Sequence, residues 1–198
     1  IGRDAARLAD LPPGAVVGTS SLRRQSQVLA ARPDVRVESI RGNVQTRLGK
    51  LAAGDCDATL LAVSGLVRLG KADVLTSIMD VEEMLPAVAQ GAVGVEIRES
   101  DDRLRGLLAP LNHADTAIRV TAERAMLATL DGSCRTPIAA LAEFDGPDAL
   151  TMTGLVASPD GKRVYRKRDR GARSDATALG EALGAALKAA AGPNLFGA

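Results

Sequence analysis

The sequence predicts a mixed fold, an α/β unit followed by a small α+β unit, and three patterns carry that expectation. Near the start, a short apolar run, a turn rich in Gly or hydroxyls and a helical spacing of apolar residues recur in the same order. Further on, alternating segments flank Ser158-Pro159-Asp160-Gly161, a strong hairpin signal. Two long stretches, 115–130 and 175–191, carry helical spacing or an Ala-rich helical composition. Repeated strand-turn-helix units build parallel sheets, whereas hairpins build antiparallel ones.

In chain order, 15–17 reads as a strand, Gly18-Thr19-Ser20-Ser21 as a turn, and the following residues as a helix towards Ala31. Residues 35–40 alternate like a half-buried strand; Arg41-Gly42-Asn43 is the next turn, with Asn43 as N-cap and Val44, Leu48 and Leu51 at helical spacing. Gly54 suits the end of that helix, and Gly54-Asp55-Cys56-Asp57 turns into a third strand, 58–63, with Cys56 facing inward. A charged helical stretch is expected over 70–83, a strand over 92–98 and a polar helix over 101–108. Strands follow the 115–130 helix at 141–144, 150–157 and 163–170. Three segments result: an α/β domain over 1–87, a crossing segment over 88–113 and a C-terminal α+β domain over 114–198.

Arginines cluster where the parallel strands end. Arg23 and Arg24 open the first helix, Arg41 and Arg47 flank the second turn, and Arg68 follows the third strand. Open α/β sheets bind ligands at the carboxyl ends of their strands. The free N–H groups of a helix start, with Thr19, Ser20 and Ser21 beside them, favour an anion there. Guanidinium forks match carboxylate or phosphate by paired hydrogen bonds. From Pro12 to Gly70 there are 8 Lys and Arg against 4 Asp and Glu, while the remainder has 17 against 20, so the positive excess is local.

Composition removes several function classes. A net charge of +1 gives no general polyanion binder, and 2% aromatics without Trp leave no stacking platforms for single-stranded nucleic acid. Cys56 and Cys134 are too few for a disulfide framework, and no apolar run reaches membrane length. A lone His113 excludes a His-based metal cluster, and Leu111-Asn112-His113-Ala114-Asp115 reads as a polar helix start. Glu82-Glu83 and Asp101-Asp102 read as solvated faces, and Arg166, Arg168 and Arg170 as the exposed side of an edge strand. Cys134 lies in Asp131-Gly132-Ser133-Cys134-Arg135-Thr136-Pro137, a loop that Gly132 and Pro137 keep from being helical. Arg135 can shift its thiolate content, yet free Cys is also among the most buried residue types, so its local sequence leaves both roles open.

Four segments together carry a resemblance. Val17-Gly18-Thr19-Ser20-Ser21-Leu22-Arg23-Arg24-Gln25, Arg41-Gly42-Asn43-Val44-Gln45-Thr46-Arg47-Leu48, Leu85-Pro86-Ala87-Val88-Ala89-Gln90-Gly91-Ala92-Val93-Gly94 and the Cys134 loop resemble the motifs of porphobilinogen deaminases, also called hydroxymethylbilane synthases, in order and spacing. The resemblance implies a transferase of tetrapyrrole biosynthesis that joins four porphobilinogen units with loss of ammonia. It implies a covalent dipyrromethane cofactor, held by a thioether to Cys134 as primer. The cofactor and substrate carboxylates would be received by Thr19, Ser21, Arg23, Arg24, Arg41, Gly42, Arg47, Gly65, Arg68 and Gln90. No metal is implied. The expected fold is thus a periplasmic-binding-protein-like α/β domain followed by the small α+β domain that bears the cofactor Cys.

The resemblance also implies a further domain ahead of Ile1 that supplies the catalytic Asp, with the crossing segment returning to it. No catalytic residue is therefore expected here, and the chain alone is expected to be inactive. Porphobilinogen is the expected partner, without nucleic acid or membrane, in a cytoplasmic enzyme that is a monomer when full length. A second reading from another class is a two-lobed anion-binding module like periplasmic receptors; it gives the Cys134 loop and the third segment no role.

Overall fold

A computed structural model of the chain describes residues 1–132 and 136–193. Its first unit is a parallel sheet of three short strands, β1 (Val16–Gly18), β2 (Arg36–Glu38) and β3 (Ala58–Thr59), in the order β2-β1-β3. Val17 pairs with Val37 on one side and with Ala58 on the other. Helix α1 (Leu22–Ala31) links β1 to β2, and α2 (Val44–Ala53) links β2 to β3. The sequence supplies both starts: Ser21 Oγ accepts from Arg24 N–H at 3.4 Å, and Asn43 Oδ1 from Thr46 N–H at 2.9 Å. Gly54, with φ of 84°, closes α2 in the left-handed conformation that glycine adopts without a Cβ penalty. A small core of Leu11, Ala15, Val17, Val28 and Val35 holds this unit.

The second unit is an antiparallel sheet, β4 (Ile138–Phe144), β5 (Ala149–Ala157) and β6 (Val164–Ala172), with β5 central. Helices α5 (Ala114–Thr129) and α6 (Ala176–Ala191) cover one face. Ile138, Ala140, Ala142, Leu150, Met152 and Val156 meet Met126, Leu183 and Leu187 there. The alternate residues Ala139, Leu155 and Ala157 face the other way and enclose Leu85, from the stretch just ahead of the crossing segment. Before α5 lie the short helices α3 (Val63–Arg68) and α4 (Asp102–Leu108).

Three expectations are corrected. Residues 92–98 form no strand, because no described strand pairs with them; Val93 and Val95 are 90% and 63% exposed. Residues 70–83 are not helical beyond one 3-10 turn at Ala72–Val74. Gly70, at φ of 63°, ends α3, and the β-branched Val74, Thr76 and Ile78 then lie in extended or turning backbone that buries no continuous apolar stripe. The third strand is shorter than 58–63, for the Leu60 carbonyl accepts from Arg24 Nη1 at 2.8 Å instead of a strand partner. His113 does start α5, its Nδ1 accepting from Thr116 N–H at 3.3 Å. No described helix is long and apolar enough to cross a membrane.

Gly180 lets α6 pack closely on α5: a Cβ there would lie 2.1 Å from the Ala122 carbonyl oxygen. Gly180→Ala should gain about 1 kcal/mol of helix propensity and lose about 3 kcal/mol to overpacking against backbone. A net loss of about 2 kcal/mol is therefore expected in urea unfolding. A gain of stability would mean that the two helices separate at little cost.

Candidate functional site

The arginines of α1 fold inward from its first turn. Arg23 is 8% exposed, and its Nη1 donates to the Leu85 carbonyl at 2.5 Å; Arg24 donates from Nη1 to the Leu60 carbonyl. Neither forms an ion pair with a carboxylate among the described residues. Burial, then the charge of Arg24, lowers the pKa of the Arg23 guanidinium to about 10. Arg24 is lowered by burial and then by Arg47. Both remain charged at neutral pH, so the site holds two desolvated cations that a bound anion would relieve.

These groups line a cleft of about 360 Å³ with Thr59, Leu60, Ser64 and Gln90, closed on its apolar side by Ile78, Met79 and Met84. That size suits a small ligand held by apolar walls and a few polar groups. Of the residues singled out from sequence, the cleft gathers Arg23, Arg24 and Gln90. Arg47 lies close enough to act on Arg24, and its Nε donates to the Gly42 carbonyl at 2.9 Å. Gly42 has φ of 122°, and a Cβ would meet the Thr46 side chain at 2.6 Å, so the turn requires glycine. Thr19 is buried and its Oγ1 accepts from Ser21 N–H at 3.2 Å, while Ser21 caps α1. The two hydroxyls thus shape the helix start. Arg41 and Arg68 are exposed and do not line the cleft; Gly65 lies within α3.

Cys134 lies outside the described residues, in the segment that joins α5 to β4. Cys56 is 1% exposed beneath Gly18 and Ile40, and burial, followed by Asp57 and Asp55, pushes its thiol pKa up. Such a thiol is a poor nucleophile. Asp57 is structural: its carboxylate accepts from Val16 N–H at 2.8 Å and from Arg3 Nη2 at 2.7 Å. No group of three metal-ligating side chains occurs among the described residues.

Two buried polar residues escaped the sequence reading. Gln27 exchanges hydrogen bonds with both main-chain groups of Leu85, at 2.8 and 3.1 Å. Glu123 accepts from Ala89 N–H at 2.6 Å and Ala142 N–H at 2.9 Å, and burial raises its pKa. The signal for Glu123 was its place on the same helical stripe as Ala122 and Met126, where a charge needs partners.

A family model described as the dipyromethane cofactor binding domain of porphobilinogen deaminase matches residues 1–106. The chain belongs to the porphobilinogen deaminase family. Residues 117–189 match the model of the family's C-terminal domain. A porphobilinogen deaminase of Nitrobacter hamburgensis is 50% identical over 192 residues, 97% of this chain and 60% of that protein. A chloroplastic porphobilinogen deaminase of Oryza sativa subsp. japonica is 52% identical over 194 residues, 97% of this chain and 54% of that protein. The chain therefore spans somewhat over half the length of these relatives, and the match takes in both sheets and the cleft.

The lowered pKa of Arg23 fixes a pH dependence. A carboxylate held by Arg23 would need the protonated guanidinium, so its affinity should stay level from about pH 7 to about pH 9 and fall as pH rises past about 10. Calorimetric titration with succinate measures it. Unchanged affinity at about pH 11.5 would show that Arg23 takes no part.

Proposed function

We propose that this chain is the cofactor-bearing and substrate-binding part of a hydroxymethylbilane synthase, which joins four porphobilinogen units with release of ammonia in tetrapyrrole biosynthesis. The observation that carries the reading is the Arg23–Arg24 pair at a helix start, Arg23 buried and Arg24 half-buried, without a counter-charge among the described residues, in a chain of this family. Porphobilinogen and the linear tetrapyrrole carry carboxylates on every ring, and a desolvated guanidinium pair recognises such groups.

The residues present suit a dipyrromethane, whose carboxylates would satisfy the unpaired cations of the cleft. When bound through a thioether to Cys134, the group supplies the pyrrole carbon from which the chain grows. Arg23 and Arg24 hold acidic side chains at the cleft floor, with Gln90 as a neutral donor and acceptor beside them. Arg47 adds positive potential next to Arg24. Arg41, in the turn after β2, and Arg68, at the end of α3, are both exposed and receive the carboxylates of later rings as the chain lengthens. Thr19, Ser21 and Gly42 hold the turns that present Arg23, Arg24 and Arg47, and Gly65 lies in α3 ahead of Arg68. Tethering one reactant makes each coupling effectively intramolecular, which favours it by proximity.

In this reading residues 1–87 are a periplasmic-binding-protein-like domain, 88–113 the crossing segment and 114–198 the domain bearing Cys134. The enzyme works as a cytoplasmic monomer on a small-molecule substrate, whereas the rice relative is named chloroplastic.

The two cysteines separate the reading from simple anion binding. In the active full-length protein, Cys134→Ser should lose a covalent increment of two pyrrole units and nearly all activity, since a hydroxyl is a far weaker nucleophile than a thiol. Cys56→Ser should keep both, at a stability cost of about 1 to 3 kcal/mol for burying a hydroxyl. Intact-mass measurement with peptide mapping decides; an adduct on Cys56, or a loaded Cys134→Ser protein, contradicts the assignment.

A further inference from the structure

Two buried polar side chains that line no part of the arginine cleft, Gln27 and Glu123, both hold the main chain of one short strap, residues 85–89. Glu123 sits on α5, 5% exposed, and forms no ion pair among the described residues. One carboxylate oxygen accepts from Ala89 N–H and the other from Ala142 N–H on β4. Ala89 has φ of 58°, a left-handed conformation in which Cβ crowds the neighbouring carbonyl. It is one of only two non-glycine residues with positive φ among those described. The next residue, Gln90, lines the cleft with Arg23 and Arg24.

We propose that Glu123 is a positioning residue for Gln90. By holding Ala89 N–H, its carboxylate keeps Ala89 in the left-handed conformation and so sets Gln90 against the arginine pair. The same side chain grips β4, and the position of Gln90 in the cleft is thereby tied to the sheet of the second unit. Only the identity of the ligand rests on the function proposed above. A Glu123 that merely braces β4 would need no particular conformation at Ala89, and this difference can be measured.

The test compares the chain with Glu123→Ala and with Glu123→Ala/Ala89→Gly by amide hydrogen exchange, nitrogen-15 NMR and porphobilinogen titration. In Glu123→Ala, exchange at Ala89 should quicken roughly ten- to hundredfold, as for loss of a hydrogen bond to a charged acceptor. The Gln90 side-chain resonances should shift and porphobilinogen affinity should fall. Adding Ala89→Gly should restore the Gln90 resonances and the affinity, because glycine takes positive φ without steric cost; the lost bond at Ala142 stays lost. If Glu123→Ala does not fold, replacing the Ala89 peptide N–H by an ester oxygen removes the same donor from the other end while keeping the alanine side chain, and must displace Gln90 likewise. Unmoved Gln90 resonances in the variants, or changes confined to β4 and unrelieved by Ala89→Gly, overturn the proposal. A parent chain that binds no porphobilinogen overturns the proposed ligand, while the Gln90 resonances still decide the role of Glu123.

Discussion

Leu85 carries two main-chain groups that lie outside every helix and strand, and α1 supplies the partners of both. Its N–H donates to Gln27 Oε1, and its carbonyl accepts from Gln27 Nε2 and from Arg23 Nη1. A buried peptide group left unpaired costs about 1 to 3 kcal/mol, so α1 and the strap cannot drift apart cheaply. The Leu85 side chain fills the face of the second sheet opposite α5 and α6. One residue thus fixes the parallel unit, through α1, against the antiparallel unit. The hairpin tip adds a second contact, Gln25 donating to the Pro159 carbonyl at 3.1 Å, and Gly161 lies so close to the α1 backbone that a Cβ would fall 2.6 Å from the Ser26 carbonyl oxygen.

This joint sets the electrostatics of the cleft. Arg23 and Arg24 occupy the first turn of α1, where the helix dipole disfavours cations by about 0.3 to 1 kcal/mol each. They are also largely desolvated, and Arg47 is near. Stability alone would place acidic residues there. The arrangement makes sense as a site whose ligand brings the missing negative charge, since the gain on binding includes relief of a cost already present in the free protein. Leu85 then has a double part, accepting from Arg23 and thereby holding its guanidinium at depth.

Sequence patterning revealed the elements that depend on local rules. Ser21 and Asn43 cap their helices, Gly54 ends α2, and the Ser158–Gly161 turn joins β5 to β6. It failed where pairing is non-local: 92–98 alternates like a strand but finds no partner among the described residues, and 70–83 is charged without an apolar stripe to hold a helix. The cleft was legible in Arg23, Arg24 and Gln90, because strand ends and helix starts can be read from short motifs. Gln27 and Glu123 were not, since their partners are main-chain groups 58 and 34 residues away in sequence. Cys134 was read from its motif alone and lies outside the described residues.

The central claim is that the Arg23–Arg24 pair, which has no counter-charge among the described residues, is kept so for an anionic ligand. Thermal unfolding of the chain and of Arg23→Met, with and without a small dicarboxylate at fixed ionic strength, tests it most directly. Without the anion, Arg23→Met should unfold at the parent's temperature or above it, because a desolvated charge is removed and Gln27 still serves the Leu85 carbonyl. Adding the dicarboxylate should raise the midpoint of the parent alone. An Arg23→Met protein that unfolds well below the parent in anion-free buffer, and gains as much as the parent from the dicarboxylate, would contradict the account.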